Sequence, residues 1–353
     1  MSDNNWKKTF ATILCSGLIS ALLFSACATG QVKTGAGTSS GRPAWIDGAS
    51  PEYPVSKYLT GVGRGRDRDL AEAGARAEIA RIFRSEVNSR QKIYQEYVQV
   101  ISKGKENVED SVSVEDLTEI TTSRVMSGAR IAEVFEDPGV MHYALAVLER
   151  GPTSEQLENK IRELDQAVLD EWNRAQAETE RLPRIRMLSR ALNFYLQRDA
   201  LNADLGVIGR RTIPSELNGA ELKAQVESEL FHGTTMSLAV VGSRAEDIHA
   251  SLTEALNQQG FSVGGSPNPD VRIEVRVRIE PLDRADPKWT YALWTLSMEM
   301  TDSRQGKVFG SYQKTDREAH LTWQSAEERA VRAISIVLRD EVAGQVRKYL
   351  LGE

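Results

Sequence analysis

The segment Val271-Arg272-Ile273-Glu274-Val275-Arg276-Val277-Arg278-Ile279 alternates aliphatic and charged side chains without interruption. Successive side chains of a β-strand point to opposite faces, so the odd positions share one face and the charges share the other. This pattern predicts a strand of an antiparallel sheet that is buried on one face and solvated on the other.

The flanking sequence predicts the rest of this sheet and its helices. A short buried strand precedes the segment, two strands joined by a hairpin turn follow it, and helices fill the intervening and final positions: strands Met236–Val241, Trp289–Thr301 and Lys307–Thr315, and helices Ala245–Gln259 and Ser325–Leu351. The order β-α-β-β-β-α predicts an antiparallel sheet with helices on one face, an α+β sandwich.

Aromatic residues on the predicted strand Trp289–Thr301 suggest an interaction surface. Small and aliphatic residues dominate the face that holds Ala292, Trp294, Leu296 and Met298, so we expect that face to be core. Trp289 and Tyr291 then stand on the outer face with Arg276 and Arg278. Tryptophan, tyrosine and arginine are enriched at binding hot spots, so these four residues are a candidate partner-binding surface. The alternative is that Trp289 and Tyr291 pack beneath the last helix.

An N-terminal α+β region has its own pattern. The segment Lys57–Gly63 reads as a strand that ends in glycines, and an alanine-rich helix follows from Asp67 to Phe83 with Asp67 or Asp69 as its cap. Strands Arg130–Glu136 and Met141–Leu148 are joined by a turn at Pro138-Gly139. The stretch 86–126 suits a helix in its first part and a strand in its second.

A helical region lies between the two α+β regions. Apolar residues recur at helical spacing from Leu157 to Trp172 and again from Leu182 to Leu196. The pattern predicts a helical hairpin that connects two domains; an intermolecular coiled coil would need a longer repeat. The fold prediction is therefore α+β, with two small antiparallel sheet-plus-helix domains joined by a helical segment.

Catalytic and cofactor motifs do not fit this chain. The glycine run Gly61-Val62-Gly63-Arg64-Gly65-Arg66 lacks the third glycine of a dinucleotide loop, and no Gly-Lys-Ser/Thr follows to hold phosphate. The four histidines, His142, His232, His249 and His320, are too dispersed for a local zinc motif, and no Gly-x-Ser-x-Gly elbow occurs. We expect no catalytic residues, no metal and no cofactor.

The N-terminus reads as an export signal. Lys7 and Lys8 precede an apolar run from Phe10 to Phe24 of about 15 residues, which is shorter than the ~20 needed to span a bilayer. The run ends in Ser25-Ala26-Cys27, which resembles the bacterial lipobox. The resemblance implies cleavage before Cys27 and acylation of this residue. Phe24 departs from the usual leucine, and the alternatives are a signal peptide cut elsewhere or an uncleaved membrane helix.

Charge and cysteine content narrow the function further. The formal net charge of the whole chain is −6. The first 26 residues contribute +1 through Asp3, Lys7 and Lys8, so the rest of the chain carries a net charge of −7. An acidic protein with interspersed charges is not expected to bind nucleic acid. Cys15 would leave with the signal, so Cys27 would be the sole cysteine and no intrachain disulfide could form.

The N-terminal region also resembles a known family. Trp45 after an opening proline, the strand Tyr58–Gly63, the alanine-rich helix and the closing Tyr143–Leu148 are similar to the LPP-twenty lipoprotein family, and to the related N-terminal module of flagellar assembly protein T. The resemblance covers about residues 43 to 150. It implies an envelope protein without known catalytic residues.

These observations predict a domain order and a function. The predicted segments are a signal peptide (1–26), a tether (27–42), an LPP-twenty-like domain (43–151), a helical connector (152–233) and an α+β sandwich domain (234–353). We expect a non-enzymatic lipoprotein that serves an envelope complex as an adaptor or assembly factor; a peptidoglycan- or glycan-acting hydrolase or a glycan-binding protein is the alternative. Ala28 after the acylated cysteine favours the periplasmic side of the outer membrane, with the cell surface as the other option. The expected partners are the membrane, through the lipid, and an envelope protein or peptidoglycan.

Overall fold

The computed structural model describes residues 41–48, 50–102, 126–264, 266–283 and 288–352. The α+β class is confirmed: two separate sheets and eight α-helices account for most of these residues. Residues 42–353 form one compact unit. Within the described ranges, no helix is both long and apolar enough to cross a membrane. The predicted strand in the second part of 86–126 falls largely outside these ranges.

The first sheet has three strands, β1 (Tyr58–Gly65), β2 (Arg130–Asp137) and β3 (Met141–Glu149), in the order β1-β3-β2 with both pairs antiparallel. Helix α1 (Arg68–Ser89) covers one face, and its first turn is capped by Asp67, whose Oδ1 accepts from the Leu70 amide at 2.8 Å. The expected hairpin is confirmed, with Gly139 at φ +75° in the turn. A short 3-10 helix, Ala44–Asp47, covers the other face by burying Trp45 against Leu145 and Val147.

Helices fill the middle of the chain. Helix α2 (Gln91–Ser102) precedes the first hairpin, and α3 (Arg150–Ala177), α4 (Arg181–Gly209) and α5 (Gly219–Glu227) follow it. The two long helices α3 and α4 are joined by three residues and pack along each other as the predicted helical hairpin. A π-helical turn, Ser228–Gly233, leads into the second sheet.

The helical hairpin contributes to the core at both of its ends. Leu157, Ile161 and Leu205 pack with α1 and the first sheet. Leu182, Ile185, Leu196 and Ala200 of α4 pack with the second sheet and its helices. The predicted helical connector, residues 152–233, therefore contributes side chains to the core of each sheet region. The domain boundaries predicted from the sequence stay predictions.

The second sheet has four strands in sequence order, β4 (Met236–Gly242), β5 (Val271–Leu282), β6 (Thr290–Asp302) and β7 (Lys307–His320). The pairs β5–β6 and β6–β7 are antiparallel, as expected. β4 instead runs parallel to β5, because helix α6 (Ala245–Gln258) carries the chain back across the sheet between them. The expectation of a wholly antiparallel second sheet is wrong for this one pair.

One face of the second sheet is covered by helices. Helix α6 lies there with α7 (Trp323–Val337) and α8 (Ala343–Leu351), which together bury one large apolar cluster against the strands. The predicted single C-terminal helix is interrupted by a π-helical turn at Leu338–Val342. In that turn Glu341 accepts hydrogen bonds from Tyr312 and Lys314 of β7, which ties the helix to the edge of the sheet.

Candidate interaction surface

The helix-free side of the second sheet is the surface that the sequence singled out. Along β5 the odd positions Val271 to Ile279 are all buried in the core beneath the helices. The even positions point the other way, and the side chains of Arg276 and Arg278 are 62% and 74% exposed. The alternation of the sequence therefore separates a core face from an outer face, as predicted.

Strand β6 places the aromatic residues. Trp294 is 1% exposed and lies in the core with Ala292, Leu296 and Met298, so the predicted face assignment is confirmed. Trp289 is 44% exposed and directly precedes β6, and Tyr291 is half-buried at its start. The alternative that Trp289 and Tyr291 pack beneath the last helix is wrong, since neither belongs to the apolar cluster there.

The strand register separates the four candidate residues into two groups. Tyr291 lies opposite Leu282, Arg278 opposite Thr295 and Arg276 opposite Ser297. The arginines are therefore four and six residues along the sheet from Tyr291, which is about 14 and 20 Å at ~3.4 Å per residue. The four residues share one face, but the arginines lie at mid-strand and the aromatic residues at one end.

Further residues complete each group. At the aromatic end, Leu282 and Leu293 are half-buried on the outer face, and Arg317 of β7 lies opposite Leu293. We refer to Leu282, Trp289, Tyr291, Leu293 and Arg317 as the aromatic end. The two leucines and Arg317 cannot be identified from the sequence alone, because only the register between strands brings them beside Tyr291.

The mid-strand arginines form ion pairs along their own strand. Arg276 lies 3.6 Å from Glu274, and Arg278 lies 3.4 Å from Glu280. All four side chains are about half exposed or more, so each pair contributes at most about 1 kcal/mol to stability. These arginines are thus available to exchange an intrachain carboxylate for one on another molecule.

Titratable residues elsewhere form no recognisable reaction centre in the described ranges. No group of three histidine, cysteine, aspartate or glutamate side chains is close enough to hold a metal ion there. A depression of about 100 Å³ between α6 and α7 is lined by Ser251, Glu254, Ser335 and Arg339, among others. Its two serine hydroxyls are 2.9 Å apart and bond to each other, which is how hydroxyls hold two packed helices together.

The second candidate site is Cys27, the predicted acylation site. It lies outside the described residues, as do the signal peptide and the tether up to residue 40. The described chain begins at Gly41, and Arg42 stacks over the Tyr143 ring at 5.2 Å on the outer face of the first sheet. Any N-terminal anchor is therefore attached to the first sheet region.

Comparison with known proteins gives one family match. Residues 43–149 match the model of the LPP20 lipoprotein family. No curated protein matches the chain. Among solved structures, the secreted protein HP1454 of Helicobacter pylori is 10% identical, with 80% of this chain and 96% of that chain covered at a TM-score of 0.40.

Smaller solved structures overlap about a third of the chain. A minor lipoprotein of Acinetobacter baumannii is 18% identical over 34% of this chain and 93% of its own, with a TM-score of 0.23. A putative lipoprotein of Caulobacter crescentus is 13% identical over 33% of this chain and 88% of its own, with a TM-score of 0.24. Likenesses this weak carry no argument about function. The match to the LPP20 lipoprotein family therefore covers the first sheet region, residues 43–149.

Proposed function

We propose that this protein is a lipid-anchored, non-enzymatic adaptor or assembly factor of the bacterial envelope, held at the periplasmic side of the outer membrane. The match of residues 43–149 to a lipoprotein family supports the anchor, together with the lipobox-like Ser25-Ala26-Cys27. In this arrangement the acylated Cys27 fixes the N-terminal domain near the membrane, and the second sheet presents its outer face to a protein partner.

The observation that supports a partner most directly is the exposure of Trp289. Large aromatic side chains are normally buried, and a monomer exposes few of them beside other apolar groups. Trp289 stands at 44% exposure next to half-buried Tyr291, while Trp294 on the same strand is fully buried. The aromatic end combines two aromatic side chains, flanking leucines and an arginine, which is the composition of a protein-binding hot spot.

Acylation is tested by growth with a labelled fatty acid. The wild-type chain should incorporate label and partition into detergent, whereas Cys27→Ser should do neither and should accumulate as an unprocessed or soluble exported form. Label in Cys27→Ser, or a wild-type chain without label, contradicts the anchor.

Partner binding is tested by crosslinking capture from membranes with Trp289→Ala/Tyr291→Ala. The double variant should weaken capture of the native partner by about 2 kcal/mol or more, since truncated hot-spot aromatics have effects of that size. Trp294→Ala is the matched control for the core face of the same strand: it should lose about 3 to 5 kcal/mol of folding stability. Capture that survives the double substitution in a folded protein removes the aromatic end as the interface.

A further inference from the structure

The outer row of β5 has a charge order that is complementary to its own reverse. It reads Arg272, Glu274, Arg276, Arg278, Glu280 from one end. When the row is read from the other end, each carboxylate falls on an arginine, and each arginine except the central Arg276 falls on a carboxylate. A row with this property fits a second copy that runs in the opposite direction across it, as in a two-fold symmetric contact.

Two neighbouring carboxylates on this face lack a sufficient number of nearby cations, and a second copy could supply one. Glu274 of β5 lies directly opposite Glu299 of β6, and both point to the outer face. Carboxylates in that position repel each other across the strands. Arg276 is 3.6 Å from Glu274, while no ion pair is found for Glu299 among the residues that the structure describes. One more cation above this pair would relieve the repulsion.

The cation is present on the same face, four residues away. Arg278 lies on the other side of Arg276 from Glu274, and its side chain is 74% exposed. A two-fold axis that lies between two stacked sheets, perpendicular to β5 and passing over Arg276 and Ser297, exchanges positions 274 and 278. It also exchanges positions 272 and 280.

We propose that this protein forms a homodimer in which the outer faces of two second sheets stack with their β5 strands antiparallel. Arg278 of each copy lies above the Glu274–Glu299 pair of the other copy, and Arg272 of each copy faces Glu280 of the other. The two Arg276 side chains meet at the axis, which makes the contact weak and sensitive to salt. Tyr291 and Leu282 lie about 20 Å from the axis, beyond this contact, whereas Leu293 and Arg317 are level with Glu280 at its edge.

The size of the face sets the expected strength. The row from Arg272 to Glu280 is about 27 Å long, and four strands are about 19 Å wide. This gives about 500 Å² per copy, or about 1,000 Å² in total, the lower limit for a specific interface. We therefore expect a dissociation constant in the micromolar range, and the inference does not depend on the proposed function.

The test is sedimentation velocity on residues 28–353, which retain all described residues, at about 1 to 500 μM. The wild type should show a monomer–dimer equilibrium. Arg278→Glu places a third carboxylate beside Glu274 and Glu299 at each of the two symmetric contacts, and Glu274→Arg places two arginines together there, so each variant should dimerise about tenfold or more weakly. An equimolar mixture of the two should regain dimer, because both exchanged contacts then join an arginine to a glutamate.

Matched controls lie on the helical side of the domain. Arg332→Glu and Glu328→Arg carry the same charge changes on the exposed side of α7 and should dimerise like wild type. Each variant is used only after its thermal transition matches that of wild type; Arg278→Gln and Glu274→Gln replace any variant that does not fold. A wild type that stays monomeric to 500 μM, reversals without effect, or a mixture of the two reversals that stays monomeric would each overturn the proposal.

Discussion

Substitution of Gly63 by alanine should destabilise the N-terminal domain strongly. Gly61, Gly63 and Gly65 lie on the face of β1 that receives α1, and no side chain separates the strand from the helix there. A Cβ at Gly63 would lie 2.1 Å from both the Ala71 carbonyl oxygen and the Ala75 amide nitrogen. Both are backbone atoms, so no side-chain rotation can relieve the contact and the helix must move.

The displacement sets the magnitude. Ordinary contact begins near 3.4 Å, so α1 must retreat by more than 1 Å. The helix buries Ala71, Ala75, Ile79 and Phe83 completely against the sheet, and its two large side chains contribute about 3 to 6 kcal/mol at ~1.5–3 kcal/mol each. A gap of 0.5 to 1 Å already forfeits a quarter to a half of such contacts, so a retreat of more than 1 Å forfeits about half of them. We therefore expect Gly63→Ala to cost about 1.5 to 3 kcal/mol.

The assay is urea unfolding of residues 28–353 at equilibrium, followed by circular dichroism. Gly206→Ala is the matched control, because the new Cβ within α4 meets only the Thr212 Cγ2 at 3.4 Å, an ordinary contact, and alanine favours a helix interior. It should leave stability unchanged or raise it by about 0.5 kcal/mol. A Gly63→Ala variant within about 0.5 kcal/mol of wild type would refute the close packing of α1 on β1.

Three further substitutions or truncations follow from the packing. Arg347 is buried, donates to the Val100 carbonyl and stacks over Phe231 at 4.9 Å; Arg347→Ala should cost about 3 kcal/mol in urea unfolding, and a loss below 1 kcal/mol would contradict its structural role. A fragment 235–353 should show a cooperative thermal transition, but at a lower temperature than a fragment 179–353. The longer fragment restores the core residues Leu182, Ile185, Leu196 and Ala200 of α4, so equal midpoints would mean that α4 contributes nothing to the stability of the second sheet region. Arg198 is buried and bonds Asp165 at 2.8 Å and the Ile213 carbonyl at 2.6 Å, so Arg198→Leu should expose residues 210–218 to proteolysis before global unfolding, and unchanged cleavage would count against this.

Local side-chain patterns in the sequence were sufficient to predict which face of the second sheet is buried. The alternation from Val271 to Ile279 and the buried set from Ala292 to Met298 fix which face of the second sheet is core, because a one-residue shift would place every aliphatic side chain in water. The glycine run lacks the spacing of a phosphate loop. Its actual role, close approach of α1 to β1, depends on which helix lies opposite, and that is a tertiary property.

The sequence alone could not predict the direction and register of the strands, or that one helix packs in two separate cores. The direction of β4 depends on the crossover through α6 and not on the residues of β4 itself. Arg276 and Tyr291 have the same face parity, but only the pairing of Tyr291 with Leu282 shows that they lie about 20 Å apart. Likewise, the apolar stripes of α4 predict burial without specifying that one helix serves two separate cores.

The central claim, an adaptor whose partner docks on the aromatic end, is tested most directly by site-specific photocrosslinking in intact cells. A photoreactive amino acid replaces Trp289 in one strain and Val308, which is 50% exposed in β7, in the other. We expect a discrete adduct with one envelope protein from position 289, competed away by excess unlabelled wild-type protein, and no such adduct from position 308. No adduct at position 289, or the same adduct from both positions, would contradict it.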